Sequence, residues 1–170
     1  MLDQLLDAMS ILFNAEWSFI AFCLISVLLF YLFSKHKKVF FISLVIAVGL
    51  GVGLKVLLAQ PRPCVDLASK VLCPLSNGFP SDHAVVATIL LLGSLGSFLF
   101  PYYAAFAIII FFSRIWLGVH TFDQVAGGFA LGAIVFLAIF HLNQKLYGSY
   151  SSIIDLDELF EENLLTKRIE

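Results

Sequence analysis

Apolar residues fill most of this 170-residue chain in blocks long enough to cross a bilayer, and charge interrupts them at few places. Residues 2 to 13 follow a different pattern. Leu2, Leu5, Leu6, Met9, Leu12 and Phe13 recur at helical spacing, with Asp3, Gln4, Asp7 and Ser10 on the other side. This predicts an amphipathic helix, lying in an interface or packed on a bundle. Trp17 to Phe33 predicts a first spanning helix, closed by Lys35, His36, Lys37 and Lys38. Val39 to Ala59 predicts a second, about 31 Å long at roughly 1.5 Å per residue. Gly49, Gly51 and Gly53 on it suggest a face open to close approach.

Gln60-Pro61-Arg62-Pro63 ends that helix, because proline cannot continue the hydrogen-bond ladder. Ser81 to about Ser97 reads as a third span, Ala104 to Val119 as a fourth and Asp123 to about His141 as a fifth. Gly128 and Gly132 give the fifth a GxxxG face suited to close packing. Beyond Lys145 the chain turns polar, with Ile153, Leu156, Phe160 and Leu164 at helical spacing among acids. Ser152 and Asp155 resemble a capping box there. The expected fold class is therefore all-α: a polytopic membrane helical bundle of about five transmembrane helices plus amphipathic terminal helices. Residues 1–145 would form the membrane domain and 146–170 a polar tail.

Composition agrees, with 61 % hydrophobic and 13 % charged residues, values foreign to an ordinary soluble domain. The net charge of -2 leaves no basic patch for nucleic acid. Asp3 and Asp7 stand where a signal peptide would carry positive charge, so the first span is expected to target the protein itself. The lysine cluster at 35–38 assigns its end of the bundle to the cytoplasm. Counting spans then places the 60–79 loop and His120 outside, which implies a site on the outer face of the plasma membrane.

Within this frame Arg114 is the anomaly. A guanidinium at membrane depth costs roughly 2.5–3.5 kcal/mol, so it persists where it lines a cavity or binds an anion. Leu117 and Gly118 share its helical face, whereas His120 falls just past the helix end. Lys55, Arg62, Ser81 and His83 reach the same depth. Three cations, a hydroxyl and a helix N-terminus describe a phosphate cradle, since guanidinium forks match phosphate oxygens. Snorkelling would account for Lys55 or Arg62 taken singly, and a helix-start polar residue for His83. Two histidines beside the cradle add a nucleophile and an acid. His36 and His141 fall at the opposite side. A carboxylate ligand is possible but needs fewer cations, and a transporter fits poorly because the polar groups gather at one face.

Lys55 followed after six residues by Arg62-Pro63, then Pro80-Ser81-Asp82-His83, then Ser113-Arg114 followed after five residues by His120, resemble the three signature motifs of the type 2 phosphatidic acid phosphatase family. The resemblance covers residues 55 to about 128. It implies that His120 attacks phosphorus to form a phosphohistidine and that His83 protonates the leaving group. Lys55, Arg62, Ser81, Asp82 and Arg114 would hold the phosphate, with no metal and no cofactor. Phe79-Pro80-Ser81-Asp82-His83-Ala84, with Asp82 where glycine is more usual, is similar to the undecaprenyl diphosphatase branch.

Two features depart from the family pattern. It usually has six spans rather than five, and its third motif ends with Asp four residues after the histidine, where this chain has Gln124. Asp123 stands one residue earlier. An imidazole nucleophile needs an acceptor on its other nitrogen, and Asp123 is the expected one because a carboxylate best supports a developing imidazolium; Gln124 is the alternative. Cys64 and Cys73 bracket a proline-bearing loop on the outer side, either as a disulfide or as two free thiols. The resulting expectation is a membrane phosphatase acting on a lipid phosphate or diphosphate, most simply a polyprenyl diphosphate. Phosphatidic acid, or a catalytically inactive lipid-binding role, is the alternative.

Overall fold

The structure, a computed structural model, describes residues 2–14, 16–33 and 37–166. Its order is α1 (Leu2–Asn14), α2 (Glu16–Phe33), α3 (Lys37–Leu58), a 3₁₀ turn (Pro63–Val65), α4 (Asp82–Gly93), α5 (Phe100–Trp116) and α6 (Phe122–Thr166). No strand occurs among the described residues, so the all-α expectation holds. Lys35 and His36 lie outside the described residues, as do the side chains of the tail that carry its predicted amphipathic face and capping box. By compactness the chain divides into Met1–Phe136 and Leu137–Glu170, and the site lies wholly within the first unit.

By length and composition α3 and the Phe122–Leu146 part of α6 are each sufficient to cross a membrane. Asp7–Asn14 and Trp17–Phe33, bent by 77°, make a third candidate if they count as one span. The predicted third and fourth spans are the shorter apolar helices α4 and α5. α4 stops at Gly93 rather than near Ser97, because Ser94 to Leu99 fold into turns with Gly96 at positive φ, and Pro101 then opens α5. Large apolar side chains face outward, among them Val45, Val56, Leu57 and Ile134. Hydrocarbon tolerates that exterior, since lipid tails are as apolar as leucine. The protein is an integral membrane protein.

Inside the bundle, packing follows small residues. Along α3 a stripe of Ser43, Ala47, Gly51 and Lys55 is buried at four-residue spacing, so this one face carries Lys55 into the interior. Only Gly51 of the three α3 glycines meets a neighbour: Gly49 and Gly53 point into open space, because residues two apart on a helix do not share a face. On α6, a Cβ at Gly128 would lie 2.6 Å from the Ser81 carbonyl oxygen, and one at Gly132 2.9 Å from the Val85 carbonyl oxygen. These glycines let α6 press against the backbone of α4, as the GxxxG spacing predicts.

Candidate active site

The ends of α1, α3, α4, α5 and α6 and two loops build the site. α5 ends in a Schellman turn: Val119 N–H donates to the Arg114 carbonyl at 3.3 Å and Gly118 N–H to the Ile115 carbonyl at 2.9 Å. Gly118 takes the positive φ of 72° that this turn requires. His120 N–H also donates to the Arg114 carbonyl, at 3.2 Å, so the turn folds the histidine back over the helix that carries the arginine. The six-residue spacing of Arg114 and His120 is the length of that reversal.

α4 starts at Asp82 with Ser81 as its N-cap, but the Ser81 side chain makes no capping bond. Its N–H instead donates to the Gln124 carbonyl at 3.0 Å, which ties the start of α4 to the first turn of α6. The Ser81 hydroxyl is thereby buried with no partner. His83, in the first turn of the helix, lies tilted against Phe19 with ring centroids 4.0 Å apart, and its Nε2 is likewise buried and unpartnered.

Arg62 is held by the loop that follows it. Its Nε donates to the Ser76 carbonyl at 2.7 Å, Nη2 to Ser76 Oγ at 3.0 Å and Nη1 to the Val119 carbonyl at 3.2 Å. Nη1 also lies 2.7 Å from His120 Nε2. A guanidinium has only donors, so Nε2 must accept and the ring proton sits on Nδ1. From there it is donated to Gln124 Oε1 at 3.1 Å. Burial first, and then the Arg62 charge, push the His120 imidazole down to about 3. The ring is neutral at physiological pH, with its lone pair toward the cations.

The remaining cations are anchored more simply. Lys55 Nζ donates to the Asn77 carbonyl at 3.0 Å and pairs with Asp82 at 3.2 Å. Arg114 is buried, with Nη1 donating to Asn14 Oδ1 at 3.1 Å and Nη2 unpartnered. A cavity of about 490 Å³ is lined by Arg62, Asp82, His83, Arg114 and His120, together with Asn14 and the loop Leu72–Ser76. A disulfide ties Cys73 of that loop to Cys64 in the 3₁₀ turn.

Two expectations meet a different geometry. Asp123 was expected on His120, but it is exposed and accepts from Gln60 Nε2 at 3.3 Å. Successive helical residues point about 100° apart, and Gln124 occupies the inward direction. Gln124 is fully buried: its Oε1 accepts from Thr121 N–H at 3.3 Å as well as from His120, and its Nε2 donates to the Pro61 carbonyl at 2.9 Å. Gly78 makes room for it, since a Cβ there would collide with the Gln124 carboxamide. Thr121-Phe122-Asp123-Gln124 is a capping-box spacing, and that signal in the sequence could have singled out Gln124. Asp82, expected on the phosphate, pairs instead with Lys55, as a carboxylate beside an ammonium must. Asn14, Phe19, Ser76 and Asn77 also enter the site, and no motif in the sequence announces them.

No curated protein matches the chain. Among solved structures, the fold is similar to the crystal structure of a transmembrane PAP2 type phosphatidylglycerolphosphate phosphatase from Bacillus subtilis. The TM-score is 0.62 and the identity 21 %, covering 85 % of this chain and 77 % of that one. The family model described as the PAP2 superfamily matches residues 37–147, from the start of α3 into α6, and so spans Lys55, Arg62, Ser81, His83, Arg114 and His120. The protein with this polar pocket at one end of a membrane bundle is a member of the PAP2 superfamily.

Proposed function

We propose that the protein hydrolyses a phosphate ester or diphosphate of a membrane lipid, with His120 as nucleophile. The observation that carries this reading is a set of buried, unpartnered polar atoms: His83 Nε2 and Arg114 Nη2 on residues that line the cavity, and Ser81 Oγ two residues before His83. Burying such atoms without a hydrogen-bond partner is costly, and a phosphoryl group satisfies all three. Arg62, Arg114 and Lys55 neutralise its charge. As phosphate draws the Arg62 guanidinium to its oxygens, the His120 Nε2 lone pair is freed to attack phosphorus. A nitrogen–phosphorus bond forms, the bond to the leaving oxygen breaks, and His83, which becomes protonated at Nε2 when the phosphate anion lies beside it, supplies that oxygen with a proton. Water then attacks the phosphohistidine and gives up a proton to His83 Nε2, releasing phosphate and restoring both rings. Throughout, Gln124 keeps the proton on Nδ1, and Asp82 acts through Lys55.

A polyprenyl diphosphate is the favoured substrate, because the Phe79–Ala84 segment resembles the undecaprenyl diphosphatase branch and the three cations suit a diphosphate. Phosphatidylglycerol phosphate is the second reading, favoured by the fold likeness, and phosphatidic acid the third. The charge at Lys37 and Lys38 supports a cytoplasmic location for the opposite end and, with it, a pocket that opens at the outer face of the plasma membrane. The test is phosphate release by the purified protein in detergent from these three lipids, with and without a chelator. Release that survives chelation is expected. Dependence on added magnesium overturns the metal-free mechanism, and binding of orthovanadate without any turnover points to a lipid-binding role.

A further inference from the structure

The family match begins at residue 37, yet the site is not complete without the segment before it. Asn14, the last residue of α1, presents its carboxamide oxygen to Arg114 Nη1 at 3.1 Å. Phe19, near the start of α2, packs its ring against His83, with centroids 4.0 Å apart. The α1 helix is tethered again two turns earlier along the same face: Asp7 Oδ1 accepts from Lys70 Nζ at 2.7 Å and from Trp116 Nε1 at 2.8 Å. Lys70 lies over the Trp116 ring, 4.0 Å from its centroid. An amphipathic helix resting only in the membrane interface would need none of these contacts.

We infer that Asn14 is a substrate-positioning residue, which holds the Arg114 guanidinium by one nitrogen so that the other faces the phosphate subsite. Arg114 Nη2 is buried and unpartnered while Nη1 is occupied. Arg114 Nε has one long contact, 3.4 Å to Ser113 Oγ on its own helix. Asn14 thus supplies the contact from outside α5 that sets the plane of the fork, and a fixed plane is what bidentate recognition of a phosphoryl group requires. The chemical choice of amide over carboxylate follows. A neutral acceptor orients the guanidinium and leaves its full charge for the substrate. A carboxylate at the same place would orient it equally well and cancel that charge.

This contrast separates positioning from simple attachment of α1. Asn14→Asp is nearly isosteric, keeps the acceptor and adds an ion pair to Arg114, so the melting temperature should hold or rise. The KM for lipid phosphate and the Ki for orthovanadate should nevertheless rise together, by about tenfold or more, with a smaller change in kcat. Asn14→Ala frees the guanidinium and should weaken vanadate by about three- to tenfold. The inference rests on the phosphatase reading, and the measurements in full-length protein in detergent keep the two apart. A wild type that neither turns over lipid phosphate nor binds orthovanadate overturns that reading and this inference with it. An active wild type whose Asn14→Asp variant matches it in KM and Ki overturns the inference alone.

Discussion

The two ends of the same bundle are held by different physics. At the end away from the pocket, Phe30 and Phe40 stack at 4.0 Å, Tyr103 tilts against Phe30 at 5.2 Å, and Gly93 leaves room for both rings. These contacts are broad and barely directional, so their strength lies in filled volume. At the pocket end, volume matters less than direction. Arg62, His120 and Gln124 are fixed by directional hydrogen bonds to one another and to named carbonyls, and several neighbouring polar atoms are left without partners. One end is arranged for stability, whereas the other keeps unsatisfied groups whose cost a bound phosphate would offset. Substitutions should therefore separate the two: stability without kinetics at the first, kinetics with modest stability change at the second.

The largest expected break is His120→Ala. It should lower turnover by on the order of 10⁴-fold or more, and acid-quenched reactions with labelled substrate should show no phosphorylated protein. Persistent labelling in this variant would place the nucleophile elsewhere.

Next comes the partner of His120. Gln124→Ala should reduce kcat/KM by about 10²-fold, since the ring loses the acceptor that fixes its tautomer, while Asp123→Asn should stay within about twofold. The reverse order in a side-by-side assay would return the orienting role to Asp123.

At the apolar end, Gly93→Val would drive a side chain into the Phe30 and Phe40 rings, because even a Cβ there lies 2.9 Å from each. Overpacking of this kind costs about 1–3 kcal/mol, so the melting temperature should fall while KM is unchanged. A rise in KM equal to that of a pocket variant would erase the distinction between the two ends.

The subtlest expectation concerns pH. Because His120 is pushed down to about 3, below the ordinary value of 6.5, the unfolded chain binds its proton more readily than the fold does. Stability from this group is therefore fully present above pH 6.5 and is lost as pH falls toward about 3. Histidine resonances in the free protein should show His120 still neutral at pH 5, and the titration should move upward when orthovanadate binds and draws off Arg62. A midpoint near 6.5 in the free protein would contradict the buried, cation-facing ring.

Much of this was legible in the chain because it is set locally or by periodicity. The apolar blocks had to be helices in a membrane, Gly128 and Gly132 suited a close neighbour, and Arg114 at membrane depth called for a cavity or an anion, with Lys55 and Arg62 at the same depth. The turn that folds His120 over Arg114 was not legible: the apolar pattern runs on to Val119 with Gly118 on the helical face, whereas the helix ends at Trp116 and Gly118 takes the positive φ of the reversal. What only the tertiary structure decided depends on direction between elements distant in sequence. Asp123 and Gln124 are neighbours in the chain, and the 100° between them became inside and outside only once α6 was pressed on α4 and the loop at Pro61 offered a carbonyl to the Gln124 amide. Asp82 turned to Lys55 because α3 and α4 pack with Gly51 between them. Asn14 met a partner 100 residues away, where helical periodicity carries no information about which polar residue will lie against which charge.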